Sequence, residues 1–279
     1  VSDEVQQPKE HAKTQRRVGA MYRALAVVGR EQTAELLTLC RRVAEGKSKA
    51  AVIKPVYAAE LRQAIKHAMA EAFKEGRRGM EKKIATKLQT APASVREAIT
   101  PGRRVLAAVR ELDADALRYR EVAAEYDKWA DKVVGGRLGQ TVKQARSIVT
   151  SGVREGVPWQ DYDWDKKLGR YTSPGLRSQL GKVFEDYETW QIYRVAVTEH
   201  TRAVGLGDVY AIDRDDLAVG GIWVVEYKGC PVCLERDGRT FETRWLRANY
   251  PAHPHCMCSI DPAFEWEGRQ VLSDFQEAA

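Results

Sequence analysis

Cys230-Pro231-Val232-Cys233 and His253-Pro254-His255-Cys256-Met257-Cys258 set the strongest limit on what this chain can become. Four of the five cysteines and two of the five histidines fall within 29 of 279 residues. A Cys-x-x-Cys pair puts two sulfurs on one tight turn, and a second cluster of thiol and imidazole groups can close a tetrahedron around a divalent ion. Zn²⁺ suits this donor set, and structural zinc sites take four protein ligands. Cys230, Cys233, His253, Cys256 and Cys258 are the candidate donors, with His255 a sixth. Residues 234–252 are long enough for a short hairpin or helix that doubles back. Four side-chain ligands leave no open position for water, so the pattern points to a staple and away from hydrolysis.

Other chemistries fit less well. A redox pair of thioredoxin type sits at the start of a helix after a strand; here a charged turn is expected after Cys233, and the His/Cys cluster would be unexplained. Disulfides belong to exported chains, whereas this one opens Val1-Ser2-Asp3-Glu4 with no signal-peptide pattern and has an odd number of cysteines. The zinc deaminase pattern needs His-x-Glu, but Glu199 precedes His200 and Arg202 follows it by two. Gly205-Leu206-Gly207-Asp208 lacks the lysine of a phosphate loop.

Cys-Pro-x-Cys, then Asp237-Gly238, then His-Pro-x-Cys-x-Cys leading into a short strand resembles the C-terminal domain of the phage Mu F-like minor head (head morphogenesis) proteins. The upstream helix, Tyr193 to Ala203, is similar to the Arg-Thr-Glu segment of that family, with a glycine-bearing turn expected at Gly205 and Gly207. Trp223 matches a tryptophan-bearing strand. The resemblance covers about residues 175–262. It departs at Met257, where the family has arginine, and at Val197-Thr198-Glu199, where it has Arg-Thr-Glu; neither change removes a candidate ligand.

The resemblance favours His253, the histidine followed by proline. The implied set is Cys230, Cys233 and His253 with one of Cys256 or Cys258, and an all-cysteine site is the alternative. It further implies a non-enzymatic virion component of a tailed bacteriophage. Such a protein is present in few copies inside the head near the portal, made in the host cytoplasm, and acts in capsid assembly, DNA packaging or DNA ejection. The implied partners are the portal protein and the major capsid or scaffolding protein.

Charge is unevenly spread. Residues 1–150 carry 30 Lys+Arg against 18 Asp+Glu, and residues 151–279 carry 15 against 21. A basic half can neutralise phosphates, so packaged double-stranded DNA is an expected partner of the first half. Interleaved acids fit ordinary solvated helix faces as well. Two rivals follow: a free zinc-containing nucleic-acid-binding protein, and an enzyme or toxin joined to a Mu F-like domain. The acidic C-terminal half disfavours the first, and the lack of a catalytic constellation in residues 1–150 disfavours the second.

The expected fold class is α+β: a long-helix N-terminal region, then a small α+β module whose short antiparallel strands are pinned by a metal. The expected domains are a helical, basic region 1–156, a linker loop 157–174, the zinc-containing module 175–262 and an acidic tail 263–279, loose or ordered by a partner. Apolar residues at three- and four-residue steps predict helices over 9–45, 56–88, 103–133 and 137–155, with a break at Gly135-Gly136. One or two more span 175–205. Cys40 lies near the stripe of the first helix and reads as packing. Strands are expected at 221–227, at 239–242 after an Asp237-Gly238 turn, and at 258–262, closed by Pro262.

Asp161-Tyr162-Asp163-Trp164-Asp165 lacks the glycine and glutamate of a calcium loop and reads as a surface loop with its aromatics folded under. Glu199, His200 and Arg202 could suggest acid/base chemistry, but a carboxylate and an arginine three apart on a helix more simply form a pair. No run of 18 apolar residues exists, so no membrane-spanning helix is expected.

Overall fold

The computed structural model describes residues 7–99, 122–225 and 229–273. The described chain is mostly helical with a small C-terminal sheet of short strands, an α+β architecture. It divides into two compact units. One draws on Val1–Gly19, His67–Tyr126 and Val197–Ala279, the other on Ala20–Lys66 and Asp127–Ala196. No described helix is long and apolar enough to cross a membrane.

Of the apolar stripe expected along helix α1, Gln7–Ala44, Val18, Met21, Leu25, Leu36 and Val43 are buried, and Val28 and Leu39 are half-buried. It ends where Gly46 takes a left-handed φ of 72° and the Lys47 N–H reaches back to the Arg42 carbonyl, a closure glycine makes at little steric cost. Helix α2, Ala58–Gln89, buries Leu61, Ile65, Met69, Phe73, Met80 and Ile84. A further short helix, α3, Ala93–Ile99, starts just after Pro92. The next helix, α4, covers residues 122–133; residues 103–121 of that expectation lie outside the described residues.

The expected break at Gly135-Gly136 is corrected. The chain stays helical through a π turn, Val134–Leu138, into α5, Gly139–Glu155. Val134 and Leu138 are both buried, and burial on either side of the glycines outweighs their poor helix propensity. Residues 162–173 also differ from the loop expected there. Strands β1, Tyr162–Asp165, and β2, Arg170–Ser173, form an antiparallel hairpin. Its aromatics are exposed, not folded under; Trp164 and Tyr171 face each other across the strands at 4.9 Å. The three aspartates hold the hairpin. Asp161 accepts from the Gly175 N–H, Asp163 from the Ser173 hydroxyl, and Asp165 from the Lys167 and Leu168 N–H groups.

In the second unit, α6, Leu176–Asp186, leads through another π turn, Tyr187–Gln191, into the start of α7, Ile192–Asp213, whose residues from Val197 onward belong to the first unit. Gln32 is the polar knot of this unit and is fully buried. Its amide N–H groups donate to the Val56 and Tyr57 carbonyls at 3.1 Å each, and its oxygen accepts from the Tyr187 hydroxyl at 2.8 Å. Burial pushes the Tyr187 phenol well above its usual range, so that hydroxyl remains a donor.

Helix α7 runs straight through Gly205 and Gly207, which corrects the expected turn. The glycines serve close packing instead. A Cβ on Gly207 would strike the Phe73 carbonyl oxygen of α2, one on Gly76 of α2 would strike the Val204 carbonyl, and one on Gly205 would strike the Tyr250 ring.

The sheet has the order β5-β3-β4-β6, with β3 Ala218–Val224, β4 Thr240–Phe241, β5 Ser259–Phe264 and β6 Val271–Leu272. Antiparallel pairing joins β3 to β4 and to β5, but β4 and β6 are parallel, a departure from the all-antiparallel expectation. Pro262 lies inside edge strand β5 opposite Gly221 and does not close it, because an edge position tolerates the missing N–H. Residues 263–273 are correspondingly not loose. Ala263 and Phe264 are fully buried, and Val271–Leu272 completes the sheet; residues 226–228 and 274–279 of the strand and tail expectations lie outside the described residues.

One apolar cluster joins the sheet to α2 and α7, through Met80 and Ile84 on one helix and Val209 and Ile212 on the other. The sheet therefore does not stand alone but leans on both helices.

Replacing Gln32 by leucine strands the Val56 carbonyl and the buried Tyr187 phenol, while the Tyr57 carbonyl keeps the Leu61 N–H. At roughly 1–3 kcal/mol for each buried group left unsatisfied, Gln32→Leu should lose on the order of 2–4 kcal/mol in urea denaturation, and a loss under 1 kcal/mol would refute the knot.

Candidate metal centre

Strand β3 delivers the chain to Cys230, which caps the N-terminus of helix α8, Pro231–Arg236. Pro231 takes the first helical position, where a missing N–H costs nothing. The Cys233 N–H donates to Cys230 Sγ at 3.5 Å, so N-cap and N3 sulfurs lie on one side of the first turn. A charged turn was expected after Cys233; the structure has a helix there instead. The pair thus does start a helix after a strand, and that argument against a redox pair lapses. What separates this site from an isolated redox pair is the second group of donors facing it.

That group arrives on the loop after helix α9, Thr243–Asn249. The Cys256 N–H donates to the His253 carbonyl at 3.1 Å, closing a turn with Pro254 and His255 at its centre. Proline fits the second position of a type II turn, and His255 takes the positive φ, 67°, required at the third. One turn therefore presents His253 and Cys256 together.

The donor atoms converge. His253 Nε2 lies 3.0 Å from Cys230 Sγ and 3.2 Å from Cys233 Sγ, and Cys233 Sγ lies 3.7 Å from Cys256 Sγ. Two sulfurs on one tetrahedral zinc stand ~3.8 Å apart, and a sulfur and a nitrogen ~3.6 Å. Among the described residues two overlapping triads can hold a metal ion: Cys230, Cys233 and His253, and Cys233, Cys256 and Cys258. Cys233 belongs to both, and within each triad all ligand atoms lie within 4.8 Å of one another. His255 is in neither; its N–H donates to the Thr198 hydroxyl. All five cysteines are free thiols.

The surroundings prepare the donors. His253 Nδ1 lies 2.8 Å from the Pro254 carbonyl, which can only accept, so Nδ1 carries the proton and Nε2 turns its lone pair to the sulfurs. Hydrogen bonds from Cys233 and Cys258 hold the Cys256 thiol well below its usual range. The same contact with Cys256, with burial, drives Cys233 far up. Cys258 is drawn down by Cys233, but Cys256 and burial outweigh this and push it up to about 12. The Trp223 indole N–H favours the Cys258 thiolate.

Arg236 fixes α8 to the sheet. Its buried guanidinium lies 4.9 Å from the Trp223 ring centre and 5.1 Å from that of Trp245, and Trp245 stacks on Phe241 at 4.2 Å. The spacing of cysteines and histidines gave no hint of Arg236, Trp223 or the Pro254 carbonyl in these roles.

Elsewhere, Glu199 and Arg202 form the expected pair at 3.1 Å, with Glu199 and His200 buried. Cys40 is fully buried in α1, and burial pushes its thiol up to about 12. Comparison with known proteins gave no match to any family model, curated protein or solved structure.

A cation bound here replaces protons on thiols held above neutral pH, so its affinity should fall as pH is lowered through neutrality, read by competition with a chromophoric chelator. Thiol titration of the folded chain at pH 8 should find the half-buried Cys230 reactive once a strong chelator is added, and the fully buried Cys40 reactive only after unfolding. Reaction of Cys40 in the folded chain would contradict its burial.

Proposed function

We propose that this chain is a zinc-stapled structural protein of a tailed-phage head, acting in head morphogenesis near the portal. The cation is Zn²⁺, held by Cys230, Cys233, His253 and Cys256. Thiolate and imidazole at tetrahedral spacing suit zinc better than the hard cations, which prefer oxygen. Cys256 is favoured over Cys258 because it shares a turn with His253 and lies 3.7 Å from Cys233. Four protein donors leave no place for a reacting water, so the role is structural.

The observation that carries the phage reading is where the two halves of the Mu F-like pattern meet. Thr198, in the segment like Arg-Thr-Glu, accepts from the backbone of His255, in the segment like His-Pro-x-Cys-x-Cys. Gly205, seven residues along the same helix, packs on Tyr250, whose hydroxyl donates to the Cys258 carbonyl. Two motifs more than 50 residues apart thus support one loop, as expected of parts of one module. The zinc pins that loop to α8, while the aromatic core and helices α2 and α7 hold the sheet.

On this reading the protein resides in the phage head, after a period in the host cytoplasm, and meets portal, major capsid or scaffolding protein. Its basic first half offers contacts to packaged double-stranded DNA, whose strength should fall steeply with salt.

Two measurements test the proposal. Elemental analysis of the full chain purified without chelator should find one zinc per chain, and removing it should lower the melting temperature by several degrees without abolishing the cooperative transition. Fractionation of a phage lysate containing a tagged full-length chain should place it in procapsids and heads at a few copies each; recovery only in free complexes would remove the assembly role.

A further inference from the structure

The metal centre offers five donors for four places, and the fifth is not idle packing. Cys258 Sγ lies within 4.8 Å of both Cys233 and Cys256, in a triad that by itself can hold a cation. Its backbone is anchored by the Tyr250 hydroxyl, and it opens directly into edge strand β5. Cys230 and His253 form the other triad with the shared Cys233. The two differ in access: Cys258 is buried at 8 % exposure beside the fully buried Trp223, whereas Cys230 is half-buried at the helix cap.

We infer that Cys258 is a replacement donor for Cys230: Cys233, His253 and Cys256 keep the cation, and the fourth place passes from the solvent-side thiol to the buried one when Cys230 is lost. The inference rests on the metal reading above. Each set contains Cys233 and supplies three sulfurs and one imidazole, so the exchange keeps charge and donor type. It moves the cation inward, away from reagents that reach Cys230. The centre would thus keep its ion when its accessible ligand is alkylated or oxidised.

Co²⁺ makes the exchange visible, because its thiolate charge-transfer band grows with the number of bound sulfurs. The full chain, stripped and reloaded with Co²⁺, is compared with Cys230→Ser, Cys258→Ser and the double variant, with circular dichroism confirming that each is folded. Wild type and both single variants should bind one Co²⁺ with the band of three thiolates, and the double variant should fall to about two-thirds of that intensity. A two-thiolate band in Cys230→Ser, or loss of Co²⁺ from it, overturns the replacement. So does a weakened band in Cys258→Ser, which would make Cys258 a resident ligand. A wild-type chain that takes up no Co²⁺ removes the metal centre itself, and the replacement with it. Iodoacetamide on the loaded wild-type chain gives a check without mutation. Mass spectrometry should find Cys230 modified first, with the ion and band retained; loss of Co²⁺ in step with that modification contradicts the inference.

Discussion

Three buried sulfurs within 4.8 Å of one another cannot all carry negative charge unless positive charge lies among them. Much of the C-terminal architecture follows from that electrostatic demand. Helix α8 begins at Cys230 so that two sulfurs share a turn, and the His253–Cys256 turn brings two more donors against it. Between these approaches, Arg236 lies against the Trp223 and Trp245 rings and ties the helix to the sheet. The aromatic core sets how far apart the two loops stand, and the donor cluster sets how they face.

How much of this was legible depended on the range of the interaction. The donors could be read because metal ligation needs scarce residue types at short spacings. The helical stripes of α1 and α2 could be read because burial repeats with the helix period. Gly135-Gly136 and Gly205/Gly207 misled because glycine looks alike as a break and as a point of close contact. Only the neighbouring carbonyls of Phe73 and Val204 reveal the second use. The parallel partner of β4 was hidden for a similar reason: Val271-Leu272 is too short to signal a strand, and its pairing is non-local. Gln32 gave no signal either, since a glutamine on a helix is ordinary until two carbonyls and a phenol surround it.

The choice among ligands shows another limit. Spacing identifies which residues can ligate but not how they divide between two overlapping sets around Cys233. Turn geometry adds what spacing does not: a type II turn with a non-glycine residue at its third position has little sequence signature, yet it carries His253 and Cys256, one from each set.

The packing of Met80 and Ile84 against Val209, Ile212 and Trp223 has a practical corollary for anyone dissecting the protein. A fragment cut to the borders of the cysteine motif would leave behind α2, more than a hundred residues upstream, and with it one wall of the aromatic core. Ending such a fragment at residue 262 would also sever β5 midway and discard β6. The candidate donors lie within about thirty residues, whereas the core that positions them is assembled from widely separated stretches of the chain.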